Sequence, residues 1–191
     1  ILVSNILANE ALFGTNVLLG VVLYSFQIYL DFDALSNIAI GTARLLGFKI
    51  PKNFNSPYLA SNLNDFWRRW HISLSSWFRD YLYIPLGGNR KGKVRTYINL
   101  MITFLTSGLW HGASFSFVVW GGIHGFIQII GDILKPYREK LLKKMKVRTE
   151  SYSHKLLQCL MTFFWIDLAW ICFRANSFTE ALAYIGRIAT N

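Results

Sequence analysis

Two long stretches of this chain carry no charged side chain: residues 11–30, twenty in all, and residues 96–131, thirty-six in all. The hydrocarbon core of a bilayer is about 30 Å thick and takes roughly twenty apolar residues as a helix. The first stretch therefore predicts one membrane span, closed by Asp31 and Asp33. At about 1.5 Å of rise per residue the second is too long for one span. It predicts a hairpin of two segments, broken by the Gly and Ser residues between Ser107 and Ser114. Residues 156–173 predict a further span with Asp167 inside it.

Between these runs the apolar positions recur at helical spacing. Leu35, Ile38, Ala39, Thr42, Leu45 and Leu46 predict a short helix capped by Asp33 and stopped at Gly47. Residues 49–58, with Pro51 and Pro57, predict a connector. A helix is expected from Ser61 or Asn62 to about Tyr83. It would carry Leu63, Phe66, Trp67, Trp70, Leu74, Trp77, Phe78 and Tyr81 on one face, and Pro85 and Gly87-Gly88 would end it. Ser177 and Glu180 have capping-box spacing for a last helix with Phe178, Ala181, Leu182 and Ile185 on one face. The fold class is an all-α polytopic membrane bundle with interfacial or re-entrant helices, one membrane domain over residues 1–191. The first residue is Ile1, without an initiator Met or a signal sequence. The chain is therefore expected to continue a longer protein, whose N-terminal helices complete the bundle.

Composition agrees: 53% of residues are hydrophobic and 16% aromatic. A net charge of +10 raises the question of nucleic acid, and the position of the charges argues against it. Arg90, Lys91, Lys93 and Arg95 precede the long uncharged run. Lys135, Arg138, Lys140, Lys143, Lys144, Lys146, Arg148 and Lys155 follow it. Basic loops at both ends of a membrane hairpin face the cytoplasm. The segment 136–146 is expected to be a partly amphipathic cytoplasmic piece, and His154 to be solvated. Cys159 and Cys172 have no metal-site spacing and fit small apolar residues of a helix.

An ionisable residue inside an apolar membrane run points to function. His111, in Gly108-Leu109-Trp110-His111-Gly112-Ala113, is such a residue. A neutral imidazole is cheap to bury and can exchange a proton near neutral pH; Trp110 beside it can wall off water. Periodicity leaves a structural, hydrogen-bonded histidine equally open. His124 reads as a packing and hydrogen-bonding residue, and Asp167 as the partner of an arginine or a polar cavity, without a catalytic role. His71 lies at the margin of the aromatic helix beside Arg68 and Ser75. That helix fits an interfacial anchor, or a cavity wall whose Arg68 and Arg69 hold an anionic group such as phosphate. No pair of histidines has metal-ligand spacing, so no metal is expected.

In combination these segments resemble the membrane-bound O-acyltransferase family, in its alginate O-acetyltransferase-like branch. The residues that carry the resemblance are Tyr29-Leu30-Asp31-Phe32, Ile38-Ala39-Ile40-Gly41, Asn53-Phe54-Asn55 with Pro57-Tyr58, and Phe66-Trp67-Arg68-Arg69-Trp70-His71-Ile72-Ser73-Leu74-Ser75. They continue with Arg79-Asp80-Tyr81-Leu82-Tyr83-Ile84-Pro85-Leu86-Gly87-Gly88-Asn89-Arg90, the Ser107 to Ala113 and Trp120 to Gly125 segments, and Phe173-Arg174-Ala175 with Ser177-Phe178. The resemblance implies helices around a tunnel, with His111 matching the family's essential histidine and His71 its second motif histidine. It implies an acyltransferase of the bacterial inner membrane with no bound cofactor. Its donor would be a cytoplasmic thioester, acetyl-CoA. Its acceptor would be a hydroxyl of an exported polysaccharide or of an extracytoplasmic acetyltransferase- or esterase-like partner protein. Trp67, Arg68, Arg69, Trp70 and Ser75 would shape the donor's path, with Trp110 next to the reacting centre. Where the branch has Ser-Gly-Tyr-Ser-Asp, this chain has Asp33-Ala34-Leu35-Ser36-Asn37, so no role passes to Asn37. The alternatives are D-alanyl transfer to teichoic acid, against which the uninterrupted segment from Tyr83 to Arg90 speaks, and a non-catalytic transporter subunit.

Overall fold

The computed structural model describes residues 2–9 and 11–190. Ile1, on which the expectation of an internal start rests, lies outside them. The described residues are helical and contain no strand. In chain order the helices are α1 (Leu2–Ala8), α2 (Thr15–Leu45), α3 (Leu63–Arg69), α4 (Ile72–Phe78), α5 (Gly92–His111), α6 (Phe115–Lys144), α7 (Tyr152–Arg174) and α8 (Phe178–Ala189). A widened π-helical turn, Arg79–Tyr83, continues α4. Three helices, α2, α6 and α7, are long and apolar enough to cross a membrane.

Four expectations are corrected. The first helix does not end at Asp31 and Asp33: α2 runs through both for 31 residues, so Asp33 caps nothing. Charges ended the apolar run without ending the helix, because a carboxylate at an outward position disturbs no i→i−4 hydrogen bond. Likewise α6 runs through Pro136 to Lys144, so the basic segment is the end of a span rather than a separate piece. Only one arm of the expected hairpin is long and apolar enough to span, since α5 opens with Lys93 and Arg95. The helix foreseen from residue 61 to 83 is two helices. Trp70 leaves the helix with extended angles and His71 is left-handed, φ 45° and ψ 53°, so the single apolar stripe does not exist as drawn.

Helices α5 and α6 pack antiparallel with their backbones in contact. A Cβ on Gly108 would fall on the Phe117 carbonyl, and one on Gly121 on the Phe104 carbonyl. Gly125 leaves room for Met101 and Phe104, where a Cβ would stand 3.1 and 3.3 Å away. Small residues permit this approach where lipid supplies no hydrophobic force between helices. The antiparallel pairing puts the basic start of α5 and the basic end of α6 at one end of the bundle. His111 lies at the other, against Phe173 near the end of α7. α7 packs between α6 and α2. The buried Asp167 of α7 meets the buried Ser25 hydroxyl of α2 and, of the two readings open for it, the arginine pair is not formed among the described residues.

At the His111 end, Ser116 Oγ donates to the Ala175 carbonyl at 3.4 Å. Arg187 of α8 donates to the carbonyl of Leu7 in the last turn of α1 and to that of Leu12 ahead of α2, at 3.0 Å each. Ser177 caps α8 by accepting from Glu180 N–H at 3.1 Å, but the Glu180 carboxylate turns to Asn176 N–H and Tyr184. α8 therefore buries Ala181 and Tyr184, whereas Leu182 of the expected face is exposed.

Gly121→Ala is expected to lower the unfolding midpoint of the full-length protein in detergent, by the equivalent of about 1–3 kcal/mol of overpacking. Gly131→Ala, at a position with open space around it, is expected to hold or raise it. Equal midpoints for the two variants would contradict the close approach.

Candidate functional site

His111 is the last residue of α5, and its ring is half-buried. Its Nδ1 lies 2.6 Å from the Ser107 carbonyl oxygen. A carbonyl only accepts, so Nδ1 carries the hydrogen and Nε2 keeps its lone pair. The ring is held edge-on by Trp120 at 4.9 Å and Phe173 at 5.5 Å. Trp110, expected to wall off water, stacks edge-on at 5.1 Å from outside and is itself 60% exposed. The inner wall is Trp120 and Phe173.

His71 is positioned by the break between α3 and α4. Its left-handed backbone, uncommon for a residue other than Gly or Asn, costs of order 1–3 kcal/mol and is held from both sides by the connector. Asn55 N–H donates to the Arg69 carbonyl at 2.9 Å, and Ile72 N–H to the Asn53 carbonyl at 2.9 Å. Phe32 of α2 meets the ring edge-on at 4.7 Å. Burial pushes the His71 imidazole below its ordinary value, to about 4, and the charge of a protonated His111 acts in the same direction. The two histidines, forty residues apart in sequence, are thus near enough for the charge of one to act on the other.

Two cavities lie between these elements, and neither has His71 or His111 in its lining. The first, about 390 Å³, is lined by Trp67, Arg68 and Asn64 of α3, Ile72, Ser75 and Phe78 of α4, and Thr103, Phe104 and Ser107 of α5, with Gln128 of α6. Its far wall is Ser107, the residue whose carbonyl orients His111. The second, about 870 Å³, opens at the basic end and is lined among others by Arg68, Lys135, Arg138, His154, Asp65 and Asp132. His154 is thus part of a cavity wall in the first turn of α7, not a solvated loop residue. Arg68, Asn64 and Gln128 line both cavities, and Gln128 Nε2 donates to Asn64 Oδ1 at 2.5 Å where they meet.

The candidate residues separate accordingly. Arg68, Trp67 and Ser75 line the first cavity. Arg69 is turned away, paired with Asp65 at 2.8 Å, and lines neither. Trp70 is buried in the aromatic core against Phe54 at 4.9 Å and Trp170 at 5.1 Å. His124 is fully buried among Phe66, Trp67, Phe104 and Trp120. Its ring nitrogens have no hydrogen-bond partner among the described residues, so it packs but does not hydrogen-bond as expected. Residue-by-residue reading missed Ser107, Asn64 and Gln128. Gln128, an amide within an apolar run of α6, was the available signal.

The sequence profile of MBOAT, the membrane-bound O-acyltransferase family, matches residues 14–172. A probable alginate O-acetylase of Pseudomonas syringae is 43% identical over 159 residues, 83% of this chain and 29% of that protein. A peptidoglycan O-acetyltransferase of Helicobacter pylori is 43% identical over 169 residues, 88% of this chain and 31% of that protein. A teichoic acid D-alanyltransferase of Bacillus subtilis is 29% identical over 162 residues, 81% of this chain and 40% of that protein. The chain spans about three-tenths of the length of the first two of these relatives.

The lowered value of His71 fixes the sign of a pH effect. Between about 4 and the ordinary value near 6.5 the unfolded chain binds a proton that the folded one does not, so stability falls as pH is lowered through that window. Replacing His71→Asn, which tolerates the left-handed backbone, is expected to shrink the drop in unfolding midpoint between pH 7 and pH 5. An undiminished drop would show that His71 is not the group concerned.

Proposed function

This chain belongs to the membrane-bound O-acyltransferase family, and from that membership we propose that it is the membrane domain of an O-acetyltransferase. It passes an acetyl group from a cytoplasmic thioester, acetyl-CoA, towards a hydroxyl beyond the membrane. The observation that carries the reading is the hydrogen bond from His111 Nδ1 to Ser107. It leaves a basic Nε2 at the end of the bundle opposite the basic tails, one helical turn from the wall of a cavity. As the acceptor oxygen attacks the thioester carbonyl carbon, Nε2 takes its proton. The carbon–sulfur bond then breaks, and the thiolate leaves and recovers the proton from Nε2–H. His71, also with a free Nε2, relays or orients that proton. Trp120 and Phe173 keep water from competing.

The donor's phosphates fit the basic end. The larger cavity brings Lys135, Arg138 and Arg68 together, and Arg68 continues into the smaller one. Arginine suits phosphate because its planar fork donates two parallel hydrogen bonds. Basic ends of both hairpin arms on one side support a cytoplasmic donor side in a bacterial inner membrane. The acceptor is a hydroxyl of an exported polysaccharide, or of an esterase-like partner protein that delivers the acetyl group to one. Relatives named for O-acetylation are 40–43% identical and those named for D-alanylation 29–30%, which favours acetylation.

His111→Ala in the full-length protein is expected to lower acetyl transfer from labelled acetyl-CoA by roughly 10²–10⁴-fold at normal protein level. Unchanged transfer would exclude His111 as the base. Arg68→Ala is expected to raise KM for acetyl-CoA about tenfold with a smaller change in kcat, as for the loss of one charge-assisted hydrogen bond. An unchanged KM would remove Arg68 from the donor site.

A further inference from the structure

The connector between α2 and α3 holds an amide that contacts His71 and Ser73 on either side of the start of α4. Asn53 Oδ1 lies 3.2 Å from His71 Nδ1, 3.2 Å from Ser73 N and 3.0 Å from Ser73 Oγ. Its Nδ2 donates to Ser36 Oγ of α2 at 3.1 Å, and its backbone carbonyl accepts from Ile72 N–H at 2.9 Å. We propose that Asn53 is the positioning residue of the site: it fixes both the ring and the left-handed backbone of His71, and so presents the His71 Nε2 lone pair to the reacting centre.

The peptide N–H of Ser73 has no acceptor function, so the Asn53 atom facing it is oxygen, and the orientation of the amide is settled. The same oxygen then faces His71 Nδ1, which must carry the hydrogen. Nε2 is left unprotonated, the same tautomer that Ser107 imposes on His111. One side chain thus selects a tautomer, and the main chain and side chain of the same residue clamp a conformation that His71 would not keep alone. Ser36 anchors the amide to α2, so the ring is referenced to a long helix rather than to a loop. Against the His71 ring α2 supplies Phe32, the connector supplies Asn53 and α4 supplies the Ser73 hydroxyl at 3.5 Å from Nδ1, which itself donates to Asn53 Oδ1; the titratable group whose charge acts on the ring is His111 from α5.

The inference rests on the reading of His111 and His71 as a catalytic pair, so its test has one arm that does not depend on activity. In full-length protein labelled with ¹⁵N-histidine, the His71 resonances, assigned by their loss in His71→Gln, are expected to report the Nδ1–H tautomer. In Asn53→Leu, which keeps the backbone carbonyl and similar volume, they are expected to report a mixture or the other tautomer. An unaltered Nδ1–H tautomer in Asn53→Leu overturns the proposal whether or not the protein is an acetyltransferase. In the activity arm, Asn53→Leu is expected to lower kcat at least tenfold with KM for acetyl-CoA little changed. Asn53→Asp, which keeps the acceptor but places a carboxylate against Nδ1–H, is expected to move the acidic limb of the kcat–pH profile upward by about one pH unit or more. That shift should vanish in the His71→Gln background. A profile for Asn53→Asp that superimposes on the parent's, or a shift that persists without His71, overturns it. Should His111→Ala retain full transfer while the tautomer of His71 still depends on Asn53, the catalytic reading fails and the clamp stands.

Discussion

The contact of α5 with α6 through Gly108 and Gly121 is the constraint on which the other features rest. In lipid no hydrophobic gain draws two apolar helices together, so they associate only as closely as their side chains allow. Glycine removes that limit at two facing positions, and backbone meets backbone. The close approach forces a tight reversal at Gly112–Ser114, immediately after His111. The histidine is therefore a helix-terminal residue whose ring folds back on Ser107, one turn earlier. A looser hairpin would carry the same sequence with its imidazole free to rotate.

At several points where this bundle departs from regular helix, a side chain replaces the lost backbone partner. Asn99 donates to the Gly88 carbonyl at 3.0 Å, in the turn where Gly87 and Gly88 take positive φ. Arg187 gathers carbonyls from the end of α1 and from the segment before α2, and Ser116 reaches Ala175. Asn53 does the same for the break between α3 and α4. Irregular backbone is tolerated at membrane depth only when such partners bury it in protein. Two of the breaks fall at the two histidines. Helical stretches supply stiffness, and the interruptions supply converging groups.

Neighbours in sequence part company at the site. Trp67 lines the first cavity while Trp70 packs in the core; Arg68 reaches both cavities while Arg69 is tied to Asp65 and the Asn55 carbonyl. Adjacent positions on a helix point about 100° apart, and the left-handed turn at His71 re-aims everything after it. A motif of consecutive conspicuous residues thus divides between holding the wall and lining it.

The sequence by itself determined the helical membrane class and the break near His111, and it singled out His111 and His71 as candidates. Long uncharged runs have few physical solutions, and buried ionisable groups are rarely idle. The family resemblance was legible in the same segments. Local pattern misjudged the ends of α2 and α6 and the continuity of α3 with α4. A charge or a proline marks polarity without stopping hydrogen bonding, whereas the kink at His71 is imposed by Asn53 and Asn55 from another part of the chain. Only the tertiary structure decided which ring nitrogen of His111 and of His71 faces an acceptor, the placing of His111 opposite the basic tails, and the separation of Arg68 from Arg69. Those are properties of directions between elements, and no linear spacing encodes a direction until the elements pack.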